Sequence, residues 1–475
     1  MQDVILALRN IGRNQRRSLV TILAVALSCG GLALFGGYVS WTFRGVEEQT
    51  VGLYGHVQIY KKGYYANGSG DPASYALANY DEIKTMLERD PFIGPRLEFV
   101  TAQIVFNGMV TSARTHTATT FFGLGVFPSD DERLWQWNPY ALFPARDLAI
   151  NAPLFAGPPE LADGDLEGGS MGTGLGHILH LDRSSEKSDR RKDSSASPDV
   201  AAPASAEVDL PFLMEQAATA SSEDESGRAT VELVCTPPEG GVPNVVTLGV
   251  RKLMPRATKE FDDQLIKLHI RHASALLFPG QPLRVTTVIV LLKKTADTPA
   301  VAQRLQRLFE EKKLDLEMKT WTEIRPFYNQ IRRMLGIIFV FVFILLAMLV
   351  VFTIYNTQNA GIIERMSELG TLRALGVNRW GLWKILILEG FFLGLIGGLA
   401  GVLLGVAGDL LLRAMEVVYV PPGVSFFARV EVLVLRYPAV LIVAFTGSLL
   451  CALISSAFPA RRAALTPIVE ALRHT

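Results

Sequence analysis

The sequence has few cysteines and no excess of charge of either sign. Its three cysteines, Cys29, Cys235 and Cys451, are too few and too scattered for a disulfide framework or a zinc site. Lysine plus arginine and aspartate plus glutamate each number 46, so the formal net charge is zero. The charge balance therefore gives no indication of nucleic acid as a partner.

Sequence motifs of several enzyme classes are also missing. The chain has no GxxxxGK(S/T) segment, so it is not expected to hydrolyse nucleotide by itself, and it has neither HExxH nor a paired Cys-x-x-Cys. His177 and His180 lie three positions apart near Asp182, a spacing that could hold a metal, although surface loop histidines are the more ordinary interpretation. No catalytic residue, cofactor or metal is expected, and a partner would supply the energy.

Long apolar runs are the main positive signal. A bilayer core of ~30 Å needs ~20 apolar residues in a helix. Residues 18–43, 335–355 and 438–459 contain no charge, and residues 385–412 contain only Glu389 and Asp409. Four transmembrane helices are therefore expected. The alternative of a cleaved signal peptide at the first run is disfavoured, because the run exceeds the usual ~7–15 residues of a signal core.

Basic residues near the spans indicate the orientation. Arg9, Arg13, Arg16 and Arg17 precede the first span, which predicts a cytoplasmic N-terminus and, with four spans, a cytoplasmic C-terminus. Apolar residues on one face of residues 1–12 predict an amphipathic helix on the cytoplasmic surface.

These observations divide the chain into ten segments. They are a cytoplasmic amphipathic helix (1–17), transmembrane helix 1 (18–43), an extracytoplasmic domain (44–320) with a disordered insertion at about 183–230, a stalk helix (321–334), transmembrane helix 2 (335–357), a cytoplasmic loop (358–384), transmembrane helix 3 (385–412), a short periplasmic loop (413–437), transmembrane helix 4 (438–459) and a cytoplasmic tail (460–475). The insertion is rich in Ser, Ala, Asp, Glu and Lys, and it has too little apolar surface to offset its ordering entropy.

The long segment between the first two spans alternates strand and helix patterns. Strands are expected at 55–60, 97–106 and 285–292, and helices at 80–89 and 299–312. The expected fold class is a membrane α-helical protein, with a large α+β domain inserted between its first and second transmembrane helices.

Small residues in the third span predict close helix packing. Gly397, Gly401 and Gly405 recur every four residues, and Gly390 and Gly394 precede them. Packing within the chain and an interface between two chains are both open. Glu389 lies one turn into the span; it could be a proton or ion site, or more simply pair at the interface with a base such as Lys384.

The loop between the second and third spans mixes charged and apolar residues at helical spacing. This pattern predicts a short amphipathic helix that ends near Gly376. A membrane-surface anchor is one interpretation, and a docking helix for a cytoplasmic protein is the other; the docking helix is favoured because the same residues resemble a known family motif. The candidate docking residues are Glu364, Arg365, Glu368, Leu369, Leu372, Arg373, Ala374, Leu375 and Gly376.

These same residues resemble the motif of the FtsX-like permease domain shared by LolC, LolE, MacB and FtsX. The resemblance covers the ERxxELGxLRALG pattern from Glu364 to Gly376, the Glu389–Gly390 pair, the C-terminal PARRAALTPIVEALR at 459–473 and the basic ALRNIGRNQRRS before the first span. One departure is minor: Pro467 stands two residues, rather than one, from Glu470.

The resemblance implies a non-catalytic permease of the bacterial inner membrane. Two permease chains, identical or homologous, would pair and bind two copies of a cytoplasmic ABC ATPase that holds ATP and Mg²⁺. Segments from Gly123 and Thr258 resemble LolC and LolE and favour lipoprotein or lipid cargo. The alternatives are a signalling permease that controls a cell-wall hydrolase, and a MacB-like exporter of peptides or small toxic compounds that works with a periplasmic adaptor.

Overall fold

The computed structural model describes residues 2–13, 15–68, 70–140, 142, 160–181, 229–238, 240, 242–256, 259–419 and 428–473. Contacts divide the chain into two compact units. The helical unit comprises Met1–Arg44, Phe327–Val417 and Arg429–Thr475, and the sheet unit comprises Gly45–Pro326 and Val418–Ala428. Residues 183–228 of the expected insertion lie outside the described residues. Its last residue, Thr230, begins a strand.

Long apolar helices form the helical unit. Four of them have the length and composition to cross a membrane, and all extend past the expected spans at one or both ends. In chain order the helices are α1 (Gln2–Arg13), α2 (Gln15–Tyr54), which continues into the other unit, then α11 (Phe327–Glu364), α12 (Met366–Ala374), α13 (Arg379–Met415), α14 (Pro438–Leu465) and α15 (Ile468–Arg473).

Packing in the helical unit centres on α13. This helix packs against α14 and against α1, and α11 also packs against α14. α11 nevertheless leaves most of its apolar surface exposed, including Phe341 and Phe352. Such a surface is compatible with contact to lipid or to another apolar helix.

The sheet unit alternates short helices with nine sheet strands. The helices are α3 (Tyr64–Asn67), α4 (Tyr80–Arg89), α5 (Pro128–Trp135), α6 (Thr173–Ile178), α7 (Lys259–Asp262), α8 (Ile270–Leu277), α9 (Thr298–Glu311) and α10 (Trp321–Ile324). The strands are β1 (Val57–Lys61), β2 (Leu97–Ser112), β3 (Ala118–Val126), β4 (Gly168–Gly172), β5 (Thr230–Cys235), β6 (Asn244–Met254), β7 (Leu265–His269), β8 (Thr287–Leu292) and β9 (Leu316–Thr320); a separate short pair is β10 (Val418–Tyr419) and β11 (Ala428–Arg429).

Strand β2 is long enough to serve two parts of this sheet. Its first half pairs with β8, which continues to β1 and β9, while its second half pairs with β3 on one side and β5 on the other. Because β3, β7, β4, β6 and β5 pair in turn, six strands close into a ring. A closed ring leaves no open strand edge, and Phe106 and Leu233 of its strands are buried in the apolar core of the unit.

Most expected elements of the sheet unit are confirmed. The helix at 80–89 has those bounds, the second helix is one residue earlier at both ends, and strands lie in all three expected segments. The expected single stalk helix over 321–334 differs: α10 ends at Ile324 and α11 begins at Phe327. Pro326 explains the break, because proline has no N–H and disfavours helical geometry at the residue before it.

Candidate functional site

The loop helix α12 is closed by a turn that requires glycine. The N–H of Gly376 donates to the carbonyl of Arg373 at 3.2 Å, and that of Val377 donates to the carbonyl of Leu372 at 3.1 Å. This is the Schellman pattern, with Gly376 as the left-handed residue at φ 102°. The next helix, α13, begins at once, capped by the side chain of Asn378, which accepts from the N–H of Gly381 at 2.6 Å.

The inner face of α12 is anchored in an apolar cluster. Leu369 is buried and Leu372 is half-buried among Leu382 and Leu386 of α13 and Ala460 of α14. The guanidinium of Arg373 donates to the carbonyl of Thr466 at 2.5 Å, just after α14. The short helix is therefore held by its own chain on one side.

The outer side of this loop carries large apolar side chains that no part of the described chain covers. Leu375 is 79% exposed and Trp380 is 73% exposed. The ring of Trp380 lies edge-on to Trp383, with centroids 4.9 Å apart. Ala374 and Gly376 are exposed beside Leu375. We call Ala374, Leu375, Gly376 and Trp380 the loop surface.

Behind the loop, Glu389 of α13 forms a buried polar junction. Its Oε2 accepts from Nη2 of Arg365 at 3.0 Å, and its Oε1 accepts from Nη1 of Arg365 at 3.4 Å and from Nδ2 of Asn10 at 2.5 Å. Arg365 is 9% exposed and Glu389 is 5% exposed. A cavity of about 30 Å³ adjoins these three residues. We call Asn10, Arg365 and Glu389 the Glu389 junction.

Two exposed ion pairs link the N-terminal helices to the same loop. Both Glu368 oxygens accept from Nη2 of Arg13, at 2.7 and 3.0 Å, and Glu364 accepts from Arg17 at 2.5 Å. All four side chains are about half exposed, so water and salt weaken these pairs.

The expected docking residues thus fall into three groups. Ala374, Leu375 and Gly376 are exposed, and Glu364 and Glu368 are exposed but paired. Arg365, Leu369, Leu372 and Arg373 instead face their own chain. The expectation that the loop presents Arg365 and Arg373 outward is therefore wrong, because the acceptors of both guanidinium groups lie within the chain.

The base beside Glu389 is Arg365, whereas the sequence suggested one such as Lys384. Asn10 was not among the predicted site residues. A signal for it existed in the sequence: Asn10 follows Ala7 by three positions, which places it beside the apolar face predicted for residues 1–12.

The glycines of α13 bring three helices of this one chain together. A Cβ on Gly397, Gly401 or Gly405 would lie 2.5–3.0 Å from side chains of α2, and one on Gly390 or Gly394 would meet side chains of α14 at 1.7–2.5 Å. These five positions are therefore occupied by packing inside the chain. The open alternative of an interface between two chains does not fit these particular glycines.

A buried polar cluster in the sheet unit includes a serine motif that the sequence interpretation overlooked. Residues 168–172 read GGSMG, a GxSxG segment that is followed by α6. Ser170 is fully buried in β4; its hydroxyl donates to Glu160 and accepts from Arg256 Nη2 at 3.0 Å. Burial raises the pKa of Glu160, but Lys267 and Arg256 together hold that pKa below its ordinary value. Such a serine is a structural partner of a carboxylate, and a hydrolase nucleophile needs a basic neighbour instead.

The histidine pair at 177 and 180 lies in and just after α6. Within the described part of the chain, no group of three His, Cys, Asp or Glu side chains is arranged to hold a metal. A surface groove of about 380 Å³ lies elsewhere in the sheet unit, and its lining is mainly charged: Lys84, Glu88, Glu98, Asp130 and Arg133 border it, with Phe99.

Four long apolar helices, with a mixed α and β unit between the first and second, define a membrane protein. Residues 337–468, from α11 to the start of α15, match the family described as FtsX-like permease C-terminal. The chain therefore carries an FtsX-like permease domain in this region, and it is similar to ABC transporter permeases, LolC among them.

Two curated relatives are similar to part of the chain. An uncharacterized ABC transporter permease of Methanocaldococcus jannaschii is 29% identical over 219 residues, which cover 45% of this chain and 51% of the relative. The lipoprotein-releasing system transmembrane protein LolC of Neisseria meningitidis serogroup B is 25% identical over 170 residues, or 36% of this chain and 40% of LolC. The chain thus spans about half, or less, of the length of these relatives.

Among solved structures, the periplasmic region of MacB from Actinobacillus actinomycetemcomitans has a TM-score of 0.28 and 11% identity to this chain. The match covers 58% of this chain and 94% of the MacB region. A likeness this weak adds nothing to the family assignment.

Proposed function

We propose that the chain is the non-catalytic permease subunit of an ATP-driven ABC complex. A separate cytoplasmic ATPase dimer, which binds ATP and Mg²⁺, docks on the loop surface, and two permease chains pair in the bilayer. Movement of the ATPase passes through the membrane helices to the sheet unit. The match to the FtsX-like permease family supports this proposal, as does the similarity to ABC transporter permeases.

The observation that carries the proposal is the two-sided loop. Its inner side is anchored by Leu369 and Arg373, while Leu375 and Trp380 are left uncovered by the chain. Keeping two large apolar side chains exposed on a fixed turn has a cost that burial against a partner removes. A loop that only connects two helices does not require exposed apolar side chains such as Leu375 and Trp380.

The proposed orientation places this loop, α1 and the C-terminus in the cytoplasm of a bacterium, with the sheet unit in the periplasm. The basic residues that precede α2 support it, because cytoplasmic loops are enriched in Lys and Arg. In this arrangement the loop surface faces the compartment that contains ATP.

The proposed work is extraction of lipoproteins or lipids from the outer leaflet of the inner membrane. The similarity to LolC, whose name states lipoprotein release, supports this cargo. The charged groove of the sheet unit favours a second candidate: a polar protein partner, such as a hydrolase to be regulated or an adaptor for export. Arg133 and Glu98 pair across part of this groove at 3.2 Å, and charged side chains of both signs suit a peptide surface better than an acyl chain.

Affinity purification of the tagged full-length chain from its own membranes tests the proposal. The expected result is a P-loop ATPase in equal molar amount, with ATP hydrolysis that follows the complex through size exclusion. Acylated lipoproteins in the same fraction would support extraction, and a hydrolase or an adaptor would support the second candidate. A monodisperse permease without any P-loop ATPase, from cells that express it normally, would contradict the proposal.

A further inference from the structure

The Glu389 carboxylate is shared by three helical segments. Asn10 belongs to α1, Arg365 lies between α11 and α12, and Glu389 itself belongs to α13. The guanidinium also donates through Nε to the carbonyl of Gly361 at 3.2 Å, so Arg365 is fixed to the end of α11 as well. One carboxylate therefore connects the beginning of the loop helix to the N-terminal helix and to the third apolar helix.

Burial makes this connection stiff. Ionised groups that have lost their water interact strongly and cannot exchange one partner for solvent without a large penalty. The exposed pairs Arg13–Glu368 and Arg17–Glu364 differ in this respect, since water can replace either partner. The apolar contacts of Leu369 also hold α12 in place, but they are not directional and the cluster includes no residue of α1.

The residues after Glu389 extend the connection to α14. A Cβ on Gly390 would lie 1.7 Å from Oγ of Ser456, and one on Gly394 would lie 2.5 Å from Cβ of Ala452. The glycine backbone of α13 therefore packs directly against side chains of α14, beginning at the residue next to Glu389. Displacement of Glu389 along the bundle has to move α14 together with α13.

We infer that Glu389 is the positioning residue through which movement of the loop reaches the membrane helices. Through Arg365 it makes α12 and α13 move as one body, and through Asn10 it includes α1 in that body. The inference rests on the proposed function and adds to it the route by which motion leaves the docking loop. Glu389 is distinct from the loop surface, because it is buried and cannot contact the ATPase.

The test uses the full-length chain with its ATPase in nanodiscs and a spin label on a cysteine introduced by Val242→Cys. Val242 is 83% exposed in the hairpin between β5 and β6, so a label there reports on the sheet unit without disturbing its core. The parent without this substitution, treated with the same label, gives the background from the three native cysteines. The measured quantities are ATPase retained per permease and the change of the label spectrum on adding MgATP.

Three variants separate transmission from folding. Glu389→Gln removes the buried charge and keeps the shape. Arg365→Met with Glu389→Leu removes both charges and fills the space with apolar atoms. Glu416→Gln is the matched control, because Glu416 lies just after the far end of α13 and forms an exposed ion pair with Arg429 at 2.6 Å.

We expect Glu389→Gln to retain the ATPase while the nucleotide-dependent spectral change falls about tenfold, in the range of a lost coupling between sites. The double variant should have an unfolding temperature near that of the wild type but still lack the nucleotide-dependent spectral change. If Glu389→Gln fails to fold, the spectral change of the double variant tests the inference instead. Glu416→Gln should behave as the wild type.

Two results would overturn the inference alone: a full spectral change in Glu389→Gln at equal ATPase occupancy, or its full recovery in the double variant. If the wild-type permease binds the ATPase but its label spectrum does not change on adding MgATP, then motion does not reach the sheet unit. That result would refute both this part of the proposed function and the inference.

Discussion

The guanidinium of Arg365 lies against the carboxylate of Glu389, with Nη2 3.0 Å from Oε2, although the two residues are 24 positions apart. Both belong to the family-like motif, yet Arg365, which was expected at the docking surface, is buried. The motif therefore combines two tasks. Its Leu375 side belongs to the exposed loop surface, and its Arg365 end is buried structure.

Removing one member of this pair is predicted to be far more harmful than removing both. Arg365→Met leaves Glu389 buried with Asn10 as its remaining described partner, and such a change costs ~3–5 kcal/mol, whereas replacing both charges by apolar side chains is close to neutral. Thermal unfolding of the purified variants in nanodiscs measures the difference. Equal losses in the single and double variants would show that the pair is not buried as described.

The exposed pairs beside it should behave in the opposite way. Arg13→Gln and Arg17→Gln remove half-exposed ion pairs, so each should lower the free energy of unfolding by less than ~1 kcal/mol. The loss should shrink further in 1 M salt, where the Debye length is ~3 Å. Unfolding curves at low and high salt test this, and a salt-independent loss of several kcal/mol would contradict it.

Close packing of α2 on α13 predicts that a single methyl group is disruptive. Gly401→Ala would place Cβ 2.5 Å from Cβ of Cys29 and 2.8 Å from the carbonyl oxygen of Ala26, so we expect a loss of ~1–3 kcal/mol. Gly31→Ala is the matched control, because nothing lies within 4 Å of a Cβ at that helical position. The unfolding temperatures of the two variants should separate clearly; equal values would argue against this helix contact.

The sheet unit should lose stability in mild acid because of His56. Burial lowers the pKa of its imidazole to about 3, and Nδ1 accepts from the N–H of Leu292 at 3.0 Å. Below pH ~6.5 the unfolded chain takes up a proton that the folded chain does not bind. The free energy of unfolding should therefore fall as the pH drops from ~6.5 toward 3.

His56→Asn supplies the control for this prediction, since its amide oxygen can still accept from Leu292 but does not titrate. Hydrogen exchange of β8 and β1 at pH 7 and pH 5 measures the effect. The loss of protection at pH 5 should be larger in the wild type than in the variant. A loss of the same size in both would assign the acid sensitivity to other groups.

The elements of the fold that depend on local pattern could be predicted from the sequence. Long apolar runs locate the four long helices, and strand and helix periodicity locate α4, α9, β1, β2 and β8. Closure of the six-stranded ring could not be predicted, because it depends on which residues of β2 pair with β3 and which pair with β5. That register joins segments on both sides of the insertion, and local pattern carries no information about it.

The candidate site was predictable in location and not in detail. The motif identifies residues 364–376, but helical spacing alone does not tell which charged residue of an amphipathic loop turns inward. That choice depends on Asn10, 379 positions before Glu389 in the chain. The same limit applies to the glycines of α13, whose spacing predicts close packing and leaves the partner helix undetermined.

The most direct measurement is ATPase binding by Leu375→Glu compared with Val242→Glu in the tagged full-length chain. Both variants put a charge in place of a highly exposed aliphatic residue, but only Leu375 belongs to the loop surface. The account predicts that Val242→Glu binds the ATPase normally. Leu375→Glu should weaken binding about thirtyfold or more, the loss that corresponds to a hot spot of ~2 kcal/mol. Wild-type ATPase affinity in both Leu375→Glu and Trp380→Glu would contradict docking at this loop.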